Sequence, residues 1–431
     1  IVYNQDVAKV WALRKAGLGV LSNLPGDAKP VAVIEDTAVN PEVLPEYMND
    51  FRQMLEQLNL ECVFYAHIAT GELHLRPVLN LKDPKDVERF HTVALETAKL
   101  VKKYRGSLSG EHGDGRLRGE FIPMMIGDHS YALLESIKQT WDPQHIFNPG
   151  KITATPRMNS SLRFDSALKV EEPETIFDFS GTQGLLRAAE QCNGSADCRK
   201  SAVIGGTMCP SYMATLDENA TTRARANILR EFLTHSGKKN RFDHQEIYQV
   251  MDLCLSCKGC KSECPSNVDM ARYKAEFLQH WHDANGIPLR TRIIANISKL
   301  NKLGMLVPSV FNFFVSNTFT SGVMKKTLGF APKRSIPVLY KMTLRSWLKR
   351  QGYTTHDTTK GKVYLFADEF TDFNDVEIGI KAIKALNKLG YAVEIPDHVE
   401  SGRAYLSKGM VRKAQALAKR NISKLKDIVS E

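Results

Sequence analysis

Two short stretches of the sequence bring histidines and acidic residues close together. HIATGELH (residues 67–74) has a histidine at each end, and SGEHGDGR (residues 109–116) carries Glu111 and His112 among glycines. If TGE turns a hairpin, His67 and His74 face each other across its mouth, at a separation that suits a divalent metal. Glycine lets the backbone of the second stretch approach a ligand closely. Two imidazoles and one carboxylate leave coordination positions open for substrate oxygens.

Each of these residues also has a structural interpretation. Two histidines at this spacing are more often unrelated, and only the second stretch favours a metal site made of His67, His74 and Glu111. That ligand set allows Zn, Mn or Fe. His112 need not bind the metal, and an imidazole is the usual general base near neutral pH.

Arginines near these stretches are candidates for holding a carboxylate. Arg76 lies two residues after His74, so it points to the same face of the predicted strand, and its guanidinium can grip a carboxylate with two hydrogen bonds. Arg116 and Arg118 are secondary candidates, with solvated surface charges as the alternative interpretation.

Seven of the eight cysteines fall into two groups, and Cys62 stands alone as a small core residue. The second group, CLSCKGCKSECPS, has the C-x2-C-x2-C-x3-C-P spacing that is typical of ferredoxins. Two-residue gaps in a tight loop let several thiolates converge on one iron–sulfur cluster, and zinc is the alternative. This group consists of Cys254, Cys257, Cys260 and Cys264.

The first group contains three cysteines, Cys192, Cys198 and Cys209, and the last of them is followed by proline. In a two-cluster exchange, Cys209 joins Cys254, Cys257 and Cys260, while Cys264 joins the other two. This gives seven thiolates for eight positions. The second centre then has a ligand other than cysteine, or has three irons, or does not form.

Composition limits the function further. Hydrophobic residues make up 43% and charged residues 25% of the 431-residue chain, as in ordinary globular proteins. The net charge of +10 suits an anionic substrate, whereas the aromatic-interleaved basic patch typical of nucleic-acid binding is missing from the sequence. No apolar run is long enough for a membrane span. The most apolar stretch, GMLVPSVFNFFVSN from Gly304, predicts a buried helix pair, with contact to a membrane surface as the alternative.

Apolar spacing predicts strands and helices along most of the chain. Strands are expected in VAVIEDTAV, ECVFYAHI and LHLRPVL, with helices in VLPEYMNDFRQMLEQLNL, DVERFHTVALETAKLVKKYR and YALLESIKQTWDP. Near the C-terminus, GKVYLFADEF and YAVEI flank the helix DVEIGIKAIKALNKLG as a β-α-β unit, and one more helix follows. The fold class is α+β, then helical around the cysteines, then the start of an α/β domain. The absence of an initial Met and the unclosed C-terminal sheet suggest a fragment.

HIATGELH, SGEHGDGR and WDPQHIFNPGKI, in this order, resemble FAD-linked oxidases of the vanillyl-alcohol oxidase type, in the branch of D-2-hydroxyacid dehydrogenases. The cysteine segments are similar to the iron–sulfur part of long bacterial fusions such as the D-2-hydroxyglutarate dehydrogenases, and the C-terminal part to a heterodisulfide-reductase-like cysteine-rich domain. Two departures stand out. TGE replaces the family's Gly-Asp-Gly-Asn before the second histidine, and Arg76 replaces an asparagine.

Composition, apolar spacing and the resemblance together predict five segments. They are an FAD-linked oxidase C-terminal substrate domain (1–152), a linker (153–180), a helical ferredoxin-like 4Fe-4S domain (181–286), a basic helical connector (287–358) and a truncated cysteine-rich domain (359–431). The resemblance implies metal ligands at His67, His74 and Glu111, a base at His112, and weak FAD contacts at Asn148 and Lys151. The main FAD-binding domain would precede residue 1.

The function implied is oxidation of a D-2-hydroxyacid, D-2-hydroxyglutarate or D-lactate, with electrons passing from FAD through [4Fe-4S] clusters to a quinone, a cytochrome or a flavoprotein. A glycolate oxidase-like enzyme and an electron-transfer subunit without substrate chemistry are the alternatives. The expected location is cytoplasmic, with peripheral contact at the inner membrane face as an alternative.

Overall fold

A computed structural model of the chain describes residues 5–351 and 360–429. It divides into two compact units. The first contains Ile1–Glu172, Phe179–Ser195 and Pro265–Asn267, and the second contains Pro173–Asp178, Ala196–Cys264 and Val268–Glu431. The boundaries of the five predicted segments stay predictions.

The first unit is an antiparallel sheet with helices. Its elements, in chain order, are α1 (Gln5–Ser22), β1 (Lys29–Pro30), β2 (Ile34–Ala38), α2 (Leu44–Gln57), β3 (Cys62–His67), β4 (Glu72–Leu79), α3 (Pro84–Lys103), α4 (Ile122–Ile126), α5 (Asp128–Trp141) and α6 (Leu185–Glu190). The strands and helices predicted for this region are confirmed.

Strand β4 is the centre of this sheet, because it pairs antiparallel with β1, β2 and β3. Alternate residues of a strand point to opposite faces. Leu73 and Leu75 of β4 belong to the buried core, together with Tyr47 and Phe51 of α2. His74 therefore points to the opposite face, and so do the residues two positions before and after it in β4.

The hairpin between β3 and β4 turns at the predicted TGE segment. Gly71 has φ +72°, and a Cβ at this position would lie 1.9 Å from the carbonyl oxygen of Val39, so only glycine fits the turn. The register places His67 opposite Glu72 and Tyr65 opposite His74. The two histidines are thus diagonal neighbours on one face, and do not lie directly opposite each other as the sequence suggested.

Part of the predicted linker packs on the first unit. Met158 is buried in the core of that unit, and its backbone N–H donates to Glu120. Arg157 forms an ion pair with Glu88. These contacts extend the packed first unit beyond residue 152.

The second unit is mainly helical. Its elements are α7 (Pro210–Thr215), α8 (Thr222–His235), α9 (Gln245–Asp252), α10 (Gly259–Glu263), α11 (Met270–Asn285), α12 (Leu289–Ala295), α13 (Ile297–Gly304), α14 (Pro308–Ser316), α15 (Thr318–Leu328), α16 (Leu344–Gln351), β5 (Lys362–Tyr364), α17 (Glu369–Phe373), α18 (Val376–Lys388), β6 (Ala392–Glu394), α19 (Arg403–Ser407) and α20 (Val411–Val429).

Strands β5 and β6 pair in parallel, with α18 in the connection between them, which confirms the predicted β-α-β unit. Its core contains Leu344, Val376, Ile383 and Val393.

The prediction of a buried helix pair in the apolar stretch from Gly304 is wrong. Val315 is the one buried residue of α14, whereas Phe313 and Phe314 are more than half exposed. Among the described residues, every helix is too short or too polar to cross a bilayer.

Candidate metal site and cysteine pocket

Four side chains on one face of the first unit's sheet converge on a small volume. One nitrogen or oxygen from each of His67, Glu72, His74 and Glu111 lies within 4.8 Å of the others. Nε2 of His74 lies 3.7 Å from Oε1 of Glu72 and 3.8 Å from Oε1 of Glu111. Nε2 of His67 also lies 3.8 Å from that Glu111 oxygen. The structure therefore brings together the three predicted ligands and adds Glu72, which sequence reasoning did not select.

The donor set fits a divalent cation. Four ligands at about 2.1 Å from one ion are separated by about 3.4 Å in a tetrahedral site. The separations of 3.7 and 3.8 Å that join His67 and His74 to the two glutamates are a few tenths of an ångström longer. Oε1 of Glu72 and Nδ1 of His74 are buried without a hydrogen-bond partner. Burial lowers the pKa of His74 and outweighs the opposing charge of Glu35, which favours the neutral imidazole that binds metal.

The pKa of Glu72 reflects the electrostatic repulsion within this group of acids. Burial, and then hydrogen bonding to Asp36 and the charges of Glu111 and Asp36, raises the pKa of Glu72 to about 7. A cation in contact with this carboxyl group would replace the proton and relieve the repulsion.

The loop that carries Glu111 and His112 is held by a buried aspartate. Asp36 sits at a bulge in β2, where the register with β4 shifts and its φ is +83°. Its carboxylate accepts hydrogen bonds from the backbone N–H groups of Glu111 and His112, both at 2.9 Å, and from the hydroxyl of Ser109. Its backbone carbonyl accepts from the N–H of Gly110 at 2.7 Å.

Burial alone would raise the pKa of Asp36, but these hydrogen bonds outweigh it and lower the pKa to about 2. Asp36 is fully inaccessible to solvent. Sequence reasoning did not select Asp36, although the predicted strand VAVIEDTAV contains it beside Glu35. A bulge with a positive φ at aspartate leaves no signal in the hydrophobic pattern.

His112 lies beside the candidate metal site and is accessible. Its ring stacks on that of His74, with centroids 5.5 Å apart. Nε2 lies 3.4 Å from Oε1 of Glu111, and Nδ1 lies 3.8 Å from Oδ2 of Asp36. The side chain is 44% exposed, so a small molecule bound at the metal site can reach it.

Arg14 is a second residue that sequence reasoning missed. Its Nη2 lies 3.4 Å from Nδ1 of His67, and its guanidinium packs over the ring of Tyr65. A metal on Nε2 of His67 requires the proton to be on Nδ1, so Arg14 could then no longer donate to this histidine. Its N–H groups would be available to an anion beside the metal.

Arg76 is on the expected face but is already engaged. Its Nη2 lies 2.7 and 2.6 Å from the two oxygens of Glu35. Oε1 of Glu35 in turn lies 3.7 Å from Nδ1 of His74, so Glu35 connects the arginine to a candidate metal ligand.

The remaining predicted residues of this unit lie around the site or away from it. Arg118 donates to the carbonyl oxygens of Gly113 and Glu35, which makes it a brace of the loop. Arg116 is exposed and has no polar partner among the described residues. Asn148 and Lys151 hydrogen bond to each other at 3.1 Å on the surface.

Arg76 also reaches a cavity of about 190 Å³ in the first unit. Five cationic and two anionic side chains line it: Lys29, Arg76, Lys82, Arg163, Arg187, Asp27 and Glu190.

In the second unit, cysteines from both sequence groups line one pocket. These are Cys209, Cys254, Cys257 and Cys260, the set predicted for the first cluster. Each of the eight cysteines, all of which lie in the described part of the chain, is outside any disulfide. Burial raises the pKa of Cys260 to about 11, which favours the protonated thiol. Binding of iron to this sulfur would have to displace the proton. Four cysteine sulfurs around one pocket fit a [4Fe-4S] cluster.

Donors and cations surround this pocket. The N–H of Thr222, at the first turn of α8, donates to Sγ of Cys209 at 3.0 Å, and its hydroxyl lies 2.9 Å from the same sulfur. Buried Arg225 also lines the pocket, and Lys274 donates to the carbonyl oxygen of Cys254 at 2.7 Å. Hydrogen bonds and positive charge favour the more negative, reduced state of a cluster.

The other three cysteines are distributed over the two units. Cys192 is buried in the first unit, while Cys198 is buried and Cys264 is half-buried in the second. Their role as ligands of a second cluster stays a prediction.

Two family models match different parts of the chain. Residues 3–152 match the family model for the C-terminal domain of FAD linked oxidases. Residues 191–269 match the model of the 4Fe-4S dicluster domain. These matches confirm the predicted resemblance and its order along the chain, and they support FAD and iron–sulfur clusters as the cofactors.

Curated relatives extend over nearly the whole chain. D-2-hydroxyglutarate dehydrogenase from Escherichia coli is 27% identical in an alignment of 455 positions that covers 96% of this chain and 44% of that protein. The enzyme of the same name from Pseudomonas putida is 28% identical over 98% of this chain and 45% of its own. D-lactate dehydrogenase from Archaeoglobus fulgidus is 28% identical over 30% of this chain and 28% of its own. The chain spans less than half the length of the first two relatives.

Replacing Asp36 by Asn should loosen the loop of residues 109–112. The amide NH₂ of Asn would face the donors of Ser109 and His112, and the loss of these bonds costs about 1–3 kcal/mol of unfolding free energy. Because the folded pKa of Asp36 is depressed from 3.8 to about 2, its contribution is present above about pH 4 and is lost as the pH falls towards 2. Denaturant unfolding at several pH values measures both effects.

The matched control is Glu61→Gln, which changes an exposed carboxylate of the same unit. Equal stability of Asp36→Asn and the native protein at pH 7 would contradict the anchoring role.

Removing the Thr222 hydroxyl should lower the reduction potential of the cluster bound in the cysteine pocket. Thr222→Val deletes one donor to Cys209 and keeps the shape of the side chain. A redox titration followed by electron paramagnetic resonance measures the midpoint. Thr215→Val, which removes a hydroxyl bonded to the carbonyl oxygen of Ser211, serves as the control. A midpoint equal to that of the native protein would show that the hydroxyl does not act on the cluster.

Proposed function

We propose that this chain is the substrate-oxidising and electron-transferring part of an FAD-dependent D-2-hydroxyacid dehydrogenase. The observation that supports it most is the convergence of His67, His74, Glu72 and Glu111 beside an accessible histidine, His112. The cysteine pocket of the second unit supplies the electron-transfer part of the same proposal.

The hydroxyl group of the substrate would bind at the candidate metal site. Bound between the two histidines and the glutamates, a divalent cation would supply Lewis-acid polarisation of an alcohol. Arg14, at the edge of this site next to His67, is placed to hold the carboxylate beside that hydroxyl. Tyr65 supports Arg14 from one side, through the stacking of its ring on the guanidinium.

His112 accepts the hydroxyl proton at Nε2, the nitrogen nearest Glu111. Nδ1 of the same ring lies near the buried, charged Asp36, which orients the imidazole and stabilises its protonated form. Bound FAD would supply the acceptor for the hydride that leaves C2, so the substrate loses two electrons and two protons in total. A [4Fe-4S] cluster at Cys209, Cys254, Cys257 and Cys260 would supply one-electron transfer to an external acceptor.

The cationic cavity favours a dicarboxylate substrate over D-lactate. Arg76 is two residues from His74 on the same face, a distance of about 7 Å along the strand, which is of the order of the length of a five-carbon diacid. Lys29 and Lys82 extend the positive charge from Arg76 into the cavity. A distal carboxylate would compete there with Glu35, which pairs with Arg76, and with Asp27 and Glu190, which pair with Lys82. The sequence-based candidates are less suitable, because Arg116 is exposed and Arg118 braces the loop.

His112→Ala in the complete protein should lower kcat for D-2-hydroxyacid oxidation by about 10²–10⁴-fold, the usual contribution of a general base. Bound metal should be unchanged, since the four converging groups remain. Dye reduction under D-2-hydroxyglutarate and elemental analysis measure the two quantities. His129→Ala, an exposed histidine of α5, is the control.

Unchanged turnover of His112→Ala would remove this residue from the chemistry. A native complete protein that oxidises no member of a D-2-hydroxyacid panel would contradict the proposed function itself and favour an electron-transfer subunit.

A further inference from the structure

The basic excess of the chain is concentrated in one segment of the second unit. Residues 284–351 contain twelve Lys and Arg residues and not one Asp or Glu. Since the whole chain has a net charge of +10, the remaining residues together have a net charge of −2. This segment therefore accounts for the positive net charge of the chain and is a candidate surface for anions.

The same segment exposes large apolar side chains. In α13, α14 and the turn between them, more than half of the surface is exposed in Leu303 (66%), Leu306 (77%), Val307 (55%), Val310 (52%), Phe313 (59%) and Phe314 (55%). Phe319 (78%) and Val323 (54%) continue this apolar surface along α15. Val310, Phe313 and Phe314 have the i, i+3, i+4 spacing of one helix face. Phe319 and Val323 have the same relation in α15.

Specific contacts on the opposite side of α14 fix this orientation. The side-chain amide of Asn312 donates to the carbonyl oxygen of Leu339 and accepts from its N–H, both at 2.8 Å. Phe311 packs close to Gly304, where an added Cβ would lie 2.7 Å from the phenylalanine ring and from the Leu339 side chain. Asn312 and Phe311 thus hold α14 on the unit, while the phenylalanines at 313 and 314 face away from it.

The turn between α14 and α15 is also well defined. Asn317 caps α15 by accepting from the N–H groups of Phe319 and Thr320. The hydroxyl of Thr320 donates to the carbonyl oxygen of Phe314 at 2.7 Å. The helical hairpin therefore presents its exposed phenylalanines as one preformed apolar surface.

The cations of this segment are largely without anionic partners. Within the described residues, Arg345 is the one of the twelve that forms an ion pair, with Asp372 at 3.8 Å. Lys299 and Lys302 of α13 and Lys326 of α15 are exposed near the apolar surface. Their charge is available to an external anionic surface.

We propose that the hairpin of α14 and α15 docks on the surface of an anionic phospholipid bilayer. The phenylalanines and leucines enter the boundary between headgroups and acyl chains, and the surrounding lysines and arginines contact lipid phosphates. A surface that combines exposed apolar side chains with positive charge fits a bilayer better than a nucleic acid. A nucleic acid would contact the positive charges but would leave an aliphatic and aromatic face of this size exposed. This inference is independent of the enzymatic proposal.

The test is cosedimentation of the complete protein with vesicles of phosphatidylcholine alone and of phosphatidylcholine with about a quarter phosphatidylglycerol. Binding is expected to the anionic vesicles only, and to weaken when salt rises from about 0.1 to about 0.5 M. The triple substitution Phe313→Ser, Phe314→Ser and Phe319→Ser should lower vesicle binding by at least about tenfold. Leu133→Ser with Ile137→Ser, exposed apolar residues of α5, is the control and should bind as the native protein does.

Two results would overturn the proposal. One is equal vesicle binding by the triple variant and the native protein. The other is absence of vesicle binding by a native protein whose self-association, measured by sedimentation equilibrium, is abolished in the triple variant, because the apolar surface would then be an interface between copies. Circular dichroism of the triple variant checks that its helices are intact.

Discussion

The hydrogen bonds to the buried carboxylate of Asp36 are the constraint on which the candidate site depends. Strand β2 alone would present its side chains in strict alternation, and the bulge at Asp36 turns this carboxylate towards the loop of residues 109–112. Two backbone N–H groups and a hydroxyl then fix that loop against the hairpin of β3 and β4. Without this anchor, Glu111 and His112 would belong to a mobile glycine-rich segment, and the histidines of the hairpin would lack their third partner.

The acidic side chains around the histidines repel one another, which destabilises this arrangement without a cation and favours the binding of a cation. Glu35, Asp36, Glu72 and Glu111 lie around the histidines in one small region. Arg76 balances Glu35, and hydrogen bonds stabilise the charge of Asp36, but Glu72 is left with a raised pKa. The residual negative charge near Glu72 and Glu111 is what a divalent ion would neutralise.

Periodicity was sufficient to predict most elements that carry the site, because β4, α2 and α3 each bury one regular apolar face. Strand β3 was predicted from its β-branched and aromatic residues, although it packs on the core only through partly buried side chains. It also predicted the ligand types, since His67, His74 and Glu111 are chemically conspicuous. The register was not predictable, and it places Glu72 rather than His74 opposite His67. The role of Asp36 depends on a bulge, and the pairing of Arg76 with Glu35 depends on which strands are neighbours, so neither is encoded in local spacing.

For the apolar stretch of residues 304–317, the prediction from the sequence was wrong. Hydrophobicity predicted burial, but the anchoring of α14 through Asn312 and Phe311 leaves Phe313 and Phe314 exposed. Composition states how apolar a helix is, whereas tertiary contacts decide which of its faces is covered.

The proposed chemistry requires one divalent ion where His67, His74 and Glu111 meet. Anomalous diffraction from crystals of the complete protein, recorded at the absorption edges of zinc, manganese and iron, would locate this ion. We expect one peak within about 2.0–2.2 Å of Nε2 of both histidines and a carboxylate oxygen of Glu111. A metal-supplemented crystal with no anomalous peak at this position would contradict it.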